Sequence, residues 1–207
     1  MKAKQPKILV ISRKDDKYIK EFFAGLTNYK TKVNTNQTAE ITFDNSYAVV
    51  FICRNDLEEF RLKIQTIKDY LANGGNLVVL GEGLNQRSFN YGCQFNEITG
   101  LKPVSYLQEG MQVHIENPEH PIMRDVEDFE LSEKLITYEQ VAEFCSVLME
   151  GSAEEQYSVI AQVNPNGGRT VSLALGRSPK TWEHPMFARI ITNLLNYCAY
   201  GEYTSLS

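Results

Sequence analysis

The stretch Gly74-Gly75-Asn76-Leu77-Val78-Val79-Leu80-Gly81-Glu82-Gly83 constrains the fold more than any other part of the chain. Its paired glycines suit a left-handed helix stop, and an apolar run of strand length follows at once. A run without polar alternation suits a strand covered on both faces, as in a parallel sheet. The run ends in a glycine-flanked acid, Glu82. Ligands of open α/β sheets bind outside the carboxyl ends of the strands. A sharp turn there would hold the Glu82 carboxylate over that crevice.

Two similar runs precede it, Lys7 to Ser12 and Ala48 to Cys53. After the first, Asp15 or Asp16 is placed to cap a helix, and Tyr18, Phe22, Phe23 and Leu26 recur at helical spacing. Thr31 to Thr35 reads as a short edge strand within an Asn/Thr-rich segment that runs to Ile41. After the second run, Asn55 and Glu58 have capping-box spacing. They predict a helix from about Leu57 to Ala72, with Leu57, Phe60, Ile64, Ile67 and Leu71 as its buried stripe. Strand–helix, strand–helix, strand predicts a doubly wound α/β layout with right-handed crossovers.

Past Glu82 the rhythm changes. Gly83 to Asn90 reads as a polar loop, and Cys93 to Thr99 as one or two helical turns closed by Gly100. Val104 to Leu107 and Met111 to Ile115 predict an antiparallel pair turning at Glu109-Gly110. The segment after His120-Pro121-Ile122-Met123 reads as polar. Phe144 to Met149 and Tyr157 to Val163 predict strands joined by an acidic loop, Glu150 to Gln156, which reads as solvated. Asn164 to Gly168 is a turn signal, Arg169 to Gly176 a strand. Pro185 suits a first helical position. The stripe Phe187, Ile190, Ile191, Leu194, Leu195 and Cys198 then predicts a helix that Gly201 ends. Tyr197, Tyr200 and Tyr203 could dock a second subunit, and residues 202 to 207 read as a loose tail.

A length of 207 residues suits one domain. A net charge of -5 and a pI near 5.3 argue against general nucleic-acid binding. The basic start, Met1 to Lys7, leads into an apolar run too short for a signal peptide or membrane span. The cysteines Cys53, Cys93, Cys145 and Cys198 show neither C-x-x-C nor zinc-type spacing. Together these predict a cytoplasmic protein with reduced thiols. His114, His120 and His184 share no ligand spacing, so no metal and no cofactor is expected.

Arg13, Arg54 and Arg177 each stand just past a predicted buried strand. If those strands are parallel, all three guanidinium groups emerge on one edge beside Glu82, where their forks suit carboxylates, phosphates and sugar hydroxyls. Gly83, Asn85 and Arg87 follow on the same loop, and Trp182 offers either a stacking face for a sugar or a packing anchor for the last helix. Pairing of the arginines with Asp16, Asp56 and Glu82 on a solvated rim is the competing account. Glu82 could serve as a general acid or base. Cysteine nucleophile chemistry needs a thiol on the turn after the central strand, and Gly81-Glu82-Gly83 has none.

Several segments stand in a telling order: Gly74 to Leu80, Asn117-Pro118-Glu119-His120-Pro121-Ile122, Ser132-Glu133-Lys134-Leu135, Gly168 to Gly176, and Trp182-Glu183-His184-Pro185-Met186-Phe187 before a terminal helix. From about Lys7 to Gly201 the chain resembles the ThuA-like, trehalose-utilisation family of the class I glutamine amidotransferase-like superfamily. The resemblance implies a flavodoxin-like, mainly parallel sheet with an antiparallel extension, and a link to carbohydrate metabolism. It also implies Glu133 as a second carboxylate beside Glu82. The chain departs from the family pattern where Gly81 and Arg177 replace histidines and Ser132 replaces an aspartate. A metal held by the family's histidines and acid would lose two of three ligands here. The expected function is binding, with or without conversion, of a sugar-related or anionic small molecule at the carboxyl edge. The alternative is a catalytically silent subunit that assembles with itself or with an enzyme.

Overall fold

The computed structural model describes residues 5–35, 41–153, 155–166 and 168–201. Part of the Asn/Thr-rich segment, Gly167, Tyr203 and the tail therefore lie outside the described residues.

The elements run β1 (Lys7–Ile11), α1 (Lys17–Ala24), β2 (Lys30–Asn34), β3 (Val49–Ile52), α2 (Ile64–Ala72), β4 (Asn76–Leu80), α3 (Phe89–Thr99), β5 (Leu101–Ile115), β6 (Phe129–Gln140), β7 (Ser146–Ala153), β8 (Gln156–Asn166), β9 (Gly168–Leu173), α4 (Pro179–Glu183) and α5 (Pro185–Tyr200). Short 3-10 turns cover Gly81–Leu84 and Pro121–Met123.

The strands form one sheet in the order β2-β1-β3-β4-β9-β8-β7-β5-β6. The pairs from β2 to β9 are parallel, and those from β9 to β6 are antiparallel. The doubly wound, mainly parallel half with an antiparallel extension is therefore as expected. Strands β1, β3 and β4 carry the uninterrupted apolar runs, and every residue of β3 is fully buried. Helices on both faces explain this: a strand without a wet face has no use for alternation. Strand order reverses between β1 and β3, the topological switch point of such a sheet.

Several boundaries differ from the sequence expectation. The residues Leu57 and Phe60 are buried as expected, but the helix begins only at Ile64. The Leu57 amide donates to the Gln86 side chain at 3.2 Å rather than to a capping oxygen. The expected hairpin at Glu109-Gly110 does not form. One long strand, β5, runs through it with register shifts against β6, and Gly110, at φ 88°, sits in the irregular stretch. A bulge and a tight turn use the same glycine chemistry, so composition alone does not separate them.

The "polar" segment after His120 is the strand β6, whose inward positions Phe129, Leu131, Glu133 and Leu135 alternate with exposed residues. Most of the expected acidic loop is strand as well, since β7 and β8 pair as far as Ala153 and Gln156. Asp16 precedes α1 without a side-chain cap; its carboxylate accepts the Arg13 amide at 2.9 Å instead. Tyr197 is buried, which removes it from any docking surface, whereas Tyr200 is half exposed.

Trp182 anchors one face. Its ring lies 5.1 Å from both Phe22 and Phe187 and 6.0 Å from Phe23, and its indole N–H donates to the Gly176 carbonyl at 2.9 Å. At 5% exposure it presents no stacking face to solvent. Among the described residues, no helix is long and apolar enough to cross a membrane.

Candidate functional site

The carboxyl ends of β1, β3, β4 and β9 stand side by side, so the residues after each strand share one edge. At the end of β4 the chain folds into the Gly81–Leu84 turn. Gly81 has φ 49°, a region that favours glycine. A Cβ on Gly83 would lie 2.5 Å from the Ile52 carbonyl oxygen, so this turn packs directly on the end of β3. Gly83 is thus a spacer that lets the turn close, and its neighbour Glu82 is left half-buried at the rim. Gly83→Ala is expected to destabilise the protein by about 1–3 kcal/mol through overpacking against backbone. Urea denaturation measures this, and an unchanged midpoint would refute the close approach.

A polar relay crosses the switch point. The Arg13 guanidinium donates to Asn55 Oδ1. Asn55 Nδ2 donates to Glu82 Oε2 at 3.0 Å. Among the described residues, Glu82 Oε1 accepts no hydrogen bond. Gln86 braces the relay from below, donating to the Arg54 carbonyl at 3.0 Å and the Gly83 carbonyl at 2.7 Å.

On the far side of Glu82 lie Asn85, Tyr138 and Arg177. The Tyr138 hydroxyl donates to Asn85 Oδ1 at 3.3 Å. Burial pushes the Tyr138 hydroxyl's pKa well up, opposed by Arg177 and Asn85 and reinforced by the Glu82 charge. Tyr138 therefore stays a neutral donor. Asn85 Nδ2 is buried with no partner among the described residues. Arg177 donates to the carbonyls of Ala174, at 2.9 Å, and Lys134.

The other sequence-predicted residues reach the same edge with different duties. Arg54 is 1% exposed. Its fork grips Asp56 at 2.5 and 2.8 Å, it donates to the Ser12 carbonyl at 3.2 Å, and its guanidinium carbon sits 3.7 Å above the Phe60 ring. Those contacts hold the loops after β1 and β3 together, and at this burial the guanidinium does not face solvent. Glu133 is also internal, accepting from Gly176 N at 3.3 Å, Ser178 N at 2.8 Å and Thr181 Oγ1 at 2.5 Å. It is an anchor for the start of α4 and does not stand opposite Glu82 as a free carboxylate. The exposed Arg87 lines a small cleft of about 150 Å³ with Asn55 and Glu58.

No thiol stands on the Gly81–Leu84 turn. Cys53, beside the edge, is buried and its pKa is pushed strongly up by desolvation, which keeps it an inert thiol. Asn55, Gln86 and Tyr138 are the residues that sequence reasoning passed over. The Asn55 signal was spent on a helix cap that does not form, and Tyr138 lies on the unrecognised strand β6.

The family model for ThuA, trehalose utilisation, matches residues 7–198. The chain belongs to the ThuA family. Solved ThuA-like structures agree in fold. One from Bacteroides uniformis ATCC 8492 superposes with a TM-score of 0.77 at 14% identity, covering 96% of this chain and 93% of that one. Another, from Parabacteroides merdae ATCC 43184, gives 0.75 at 14% identity, with 99% and 93% covered. A glutamine amidotransferase from Thermotoga maritima gives 0.66 at 10% identity, with 96% and 100% covered. The ThuA fold is thus a variant of the amidotransferase-like sheet. No protein of curated function matches the sequence.

Proposed function

We propose that this ThuA-family chain binds a small polar ligand, sugar-related or anionic, at the carboxyl edge of the sheet around Glu82. The observation that supports this reading most is the half-buried Glu82 carboxylate at the sheet's switch-point edge. One oxygen is held by Asn55 and the other accepts nothing from the described residues. A carboxylate fixed in this way is ready to accept a ligand hydroxyl without first losing rotamer freedom. Arg13 and Arg177 add positive charge beside it, and Asn85 brings an unsatisfied amide donor. A compound rich in hydroxyl and carbonyl oxygens matches that set, in keeping with the family's description. Any turnover here would use Glu82 as the acid–base group.

A thermal-shift screen with trehalose, glucose, sugar phosphates and small carboxylates tests the reading. A ligand at a hundredfold excess over its Kd stabilises the folded state by about 2.7 kcal/mol. A rise of several degrees is therefore expected, and Glu82→Gln should abolish it while leaving the unliganded melting point nearly unchanged. A screen without any shift, or a shift that survives Glu82→Gln, counts against the site.

The second reading, an assembly subunit, has its own observation. Phe89 and Phe144 are 82% and 80% exposed, so each ring would gain from burial against a second chain. Sedimentation that finds only monomer across a wide concentration range would remove it.

A further inference from the structure

Within the antiparallel extension, strand pairing brings a serine, a histidine and an aspartate into line. His114 Nε2 lies 2.8 Å from Ser152 Oγ, and His114 Nδ1 lies 3.3 Å from Asp128 Oδ2. The three come from β7, β5 and the segment leading into β6. Strand register explains the meeting. His114 faces Glu150 across the β5–β7 ladder, and Ser152 stands two residues further along β7, on the same face. Asp128 is itself held, because its Oδ1 accepts the Ile115 amide at 2.9 Å.

The direction of each bond follows from the chemistry. An ionised carboxylate only accepts, so the proton between Asp128 and His114 sits on Nδ1. That leaves the Nε2 lone pair for the Ser152 hydroxyl proton. The arrangement has the roles of a nucleophile, a base and a group that orients the base. It is also reachable: the His114 side chain is 36% exposed and Tyr157, whose ring lies 6.3 Å from the imidazole, is 67% exposed.

We propose that Ser152, His114 and Asp128 form an acyl-transfer site that accepts small activated carboxylic esters. Ser152 Oγ bonds to the ester carbonyl carbon as its proton moves to His114 Nε2. The bond from that carbon to the leaving oxygen then breaks, and the departing oxygen takes the Nε2 proton. Water attacks the acyl-serine by the same route, giving its proton to Nε2, and the acid leaves as Ser152 recovers its hydroxyl. Tyr157 offers an aryl face beside the imidazole for the leaving group. The open sheet face sets no limit on acyl length.

The test uses the full chain and an alkyl fluorophosphonate probe, with p-nitrophenyl acetate as the turnover substrate. The expected result is a covalent phosphonyl adduct mapped by mass spectrometry to Ser152, with fluoride released. Release of p-nitrophenolate should fall at least tenfold in Ser152→Ala and in His114→Asn, and less in Asp128→Asn. A purely structural hydrogen-bond chain gives no adduct at Ser152, and that outcome overturns the proposal. Equal labelling of Ser152 in the wild type and in His114→Asn also overturns it. The adduct on the wild-type chain is read without any variant, so a variant that fails to fold does not protect the proposal.

Discussion

Arg54→Ala is expected to destabilise the protein by about 3–5 kcal/mol, the range for breaking a buried ion pair by removing one partner. Arg54 and Asp56 are both almost fully buried, with exposures of 1% and 7%. Truncation leaves the Asp56 carboxylate without its fork, strips a donor from the Ser12 carbonyl and opens a void over Phe60. Pairing it with Asp56→Ala should recover part of the loss, because the stranded charge is the larger share of the penalty. Hydrogen bonds from Arg54 hold the Asp56 carboxyl below its ordinary pKa, against the opposing pull of burial. A depressed folded-state value means this stabilisation is complete above the ordinary carboxylate range and fades as pH falls through the lower, folded value. The gap between wild type and Arg54→Ala should therefore narrow in acid. Urea denaturation at neutral pH and again well below pH 4 measures both quantities. A gap that widens in acid would show that the pair is not what Arg54 contributes.

Glu133→Ala should cause a loss of similar size, about 3–5 kcal/mol, since two buried donors and one part-buried donor lose their common acceptor. The effect reaches the candidate site. Glu133 pins the Gly176-Arg177-Ser178 segment, and its Oε2 lies 3.9 Å from the Arg177 guanidinium. Without it, Arg177 has less reason to stay beside Tyr138, so ligand-dependent stabilisation should fall along with the melting point. Glu133→Gln keeps one acceptor oxygen but turns an N–H₂ toward groups that already donate, and an intermediate loss is expected. If Glu133→Ala unfolds at the wild-type urea concentration, the anchoring role is wrong.

These two residues also show how far a linear reading reaches. Arg54 was legible as a cation at a strand end, and it does lie on the expected edge. Its inward orientation was not, because that depends on Asp56, Ser12 and Phe60 closing around it from two loops. Glu133 was singled out only through family resemblance, although a carboxylate at an inward position of an alternating strand is itself a signal of a buried partner. Trp182 carried two meanings in sequence, and the surrounding rings of Phe22, Phe23 and Phe187 select packing.

By itself, the amino-acid order determined the parallel half of this protein. Apolar runs without alternation can be satisfied only under helices on both faces, and the glycines around β4 mark where the chain must turn. Tertiary structure alone decided which charges meet. Hydrogen bonds of a few ångströms join Arg13 to Asn55, Asn55 to Glu82, and His114 to Ser152 and Asp128 across 14 to 42 positions of sequence separation. Such contacts depend on strand order and register, which no local pattern encodes, since polar residues at the ends and open faces of strands obey no hydrophobic period.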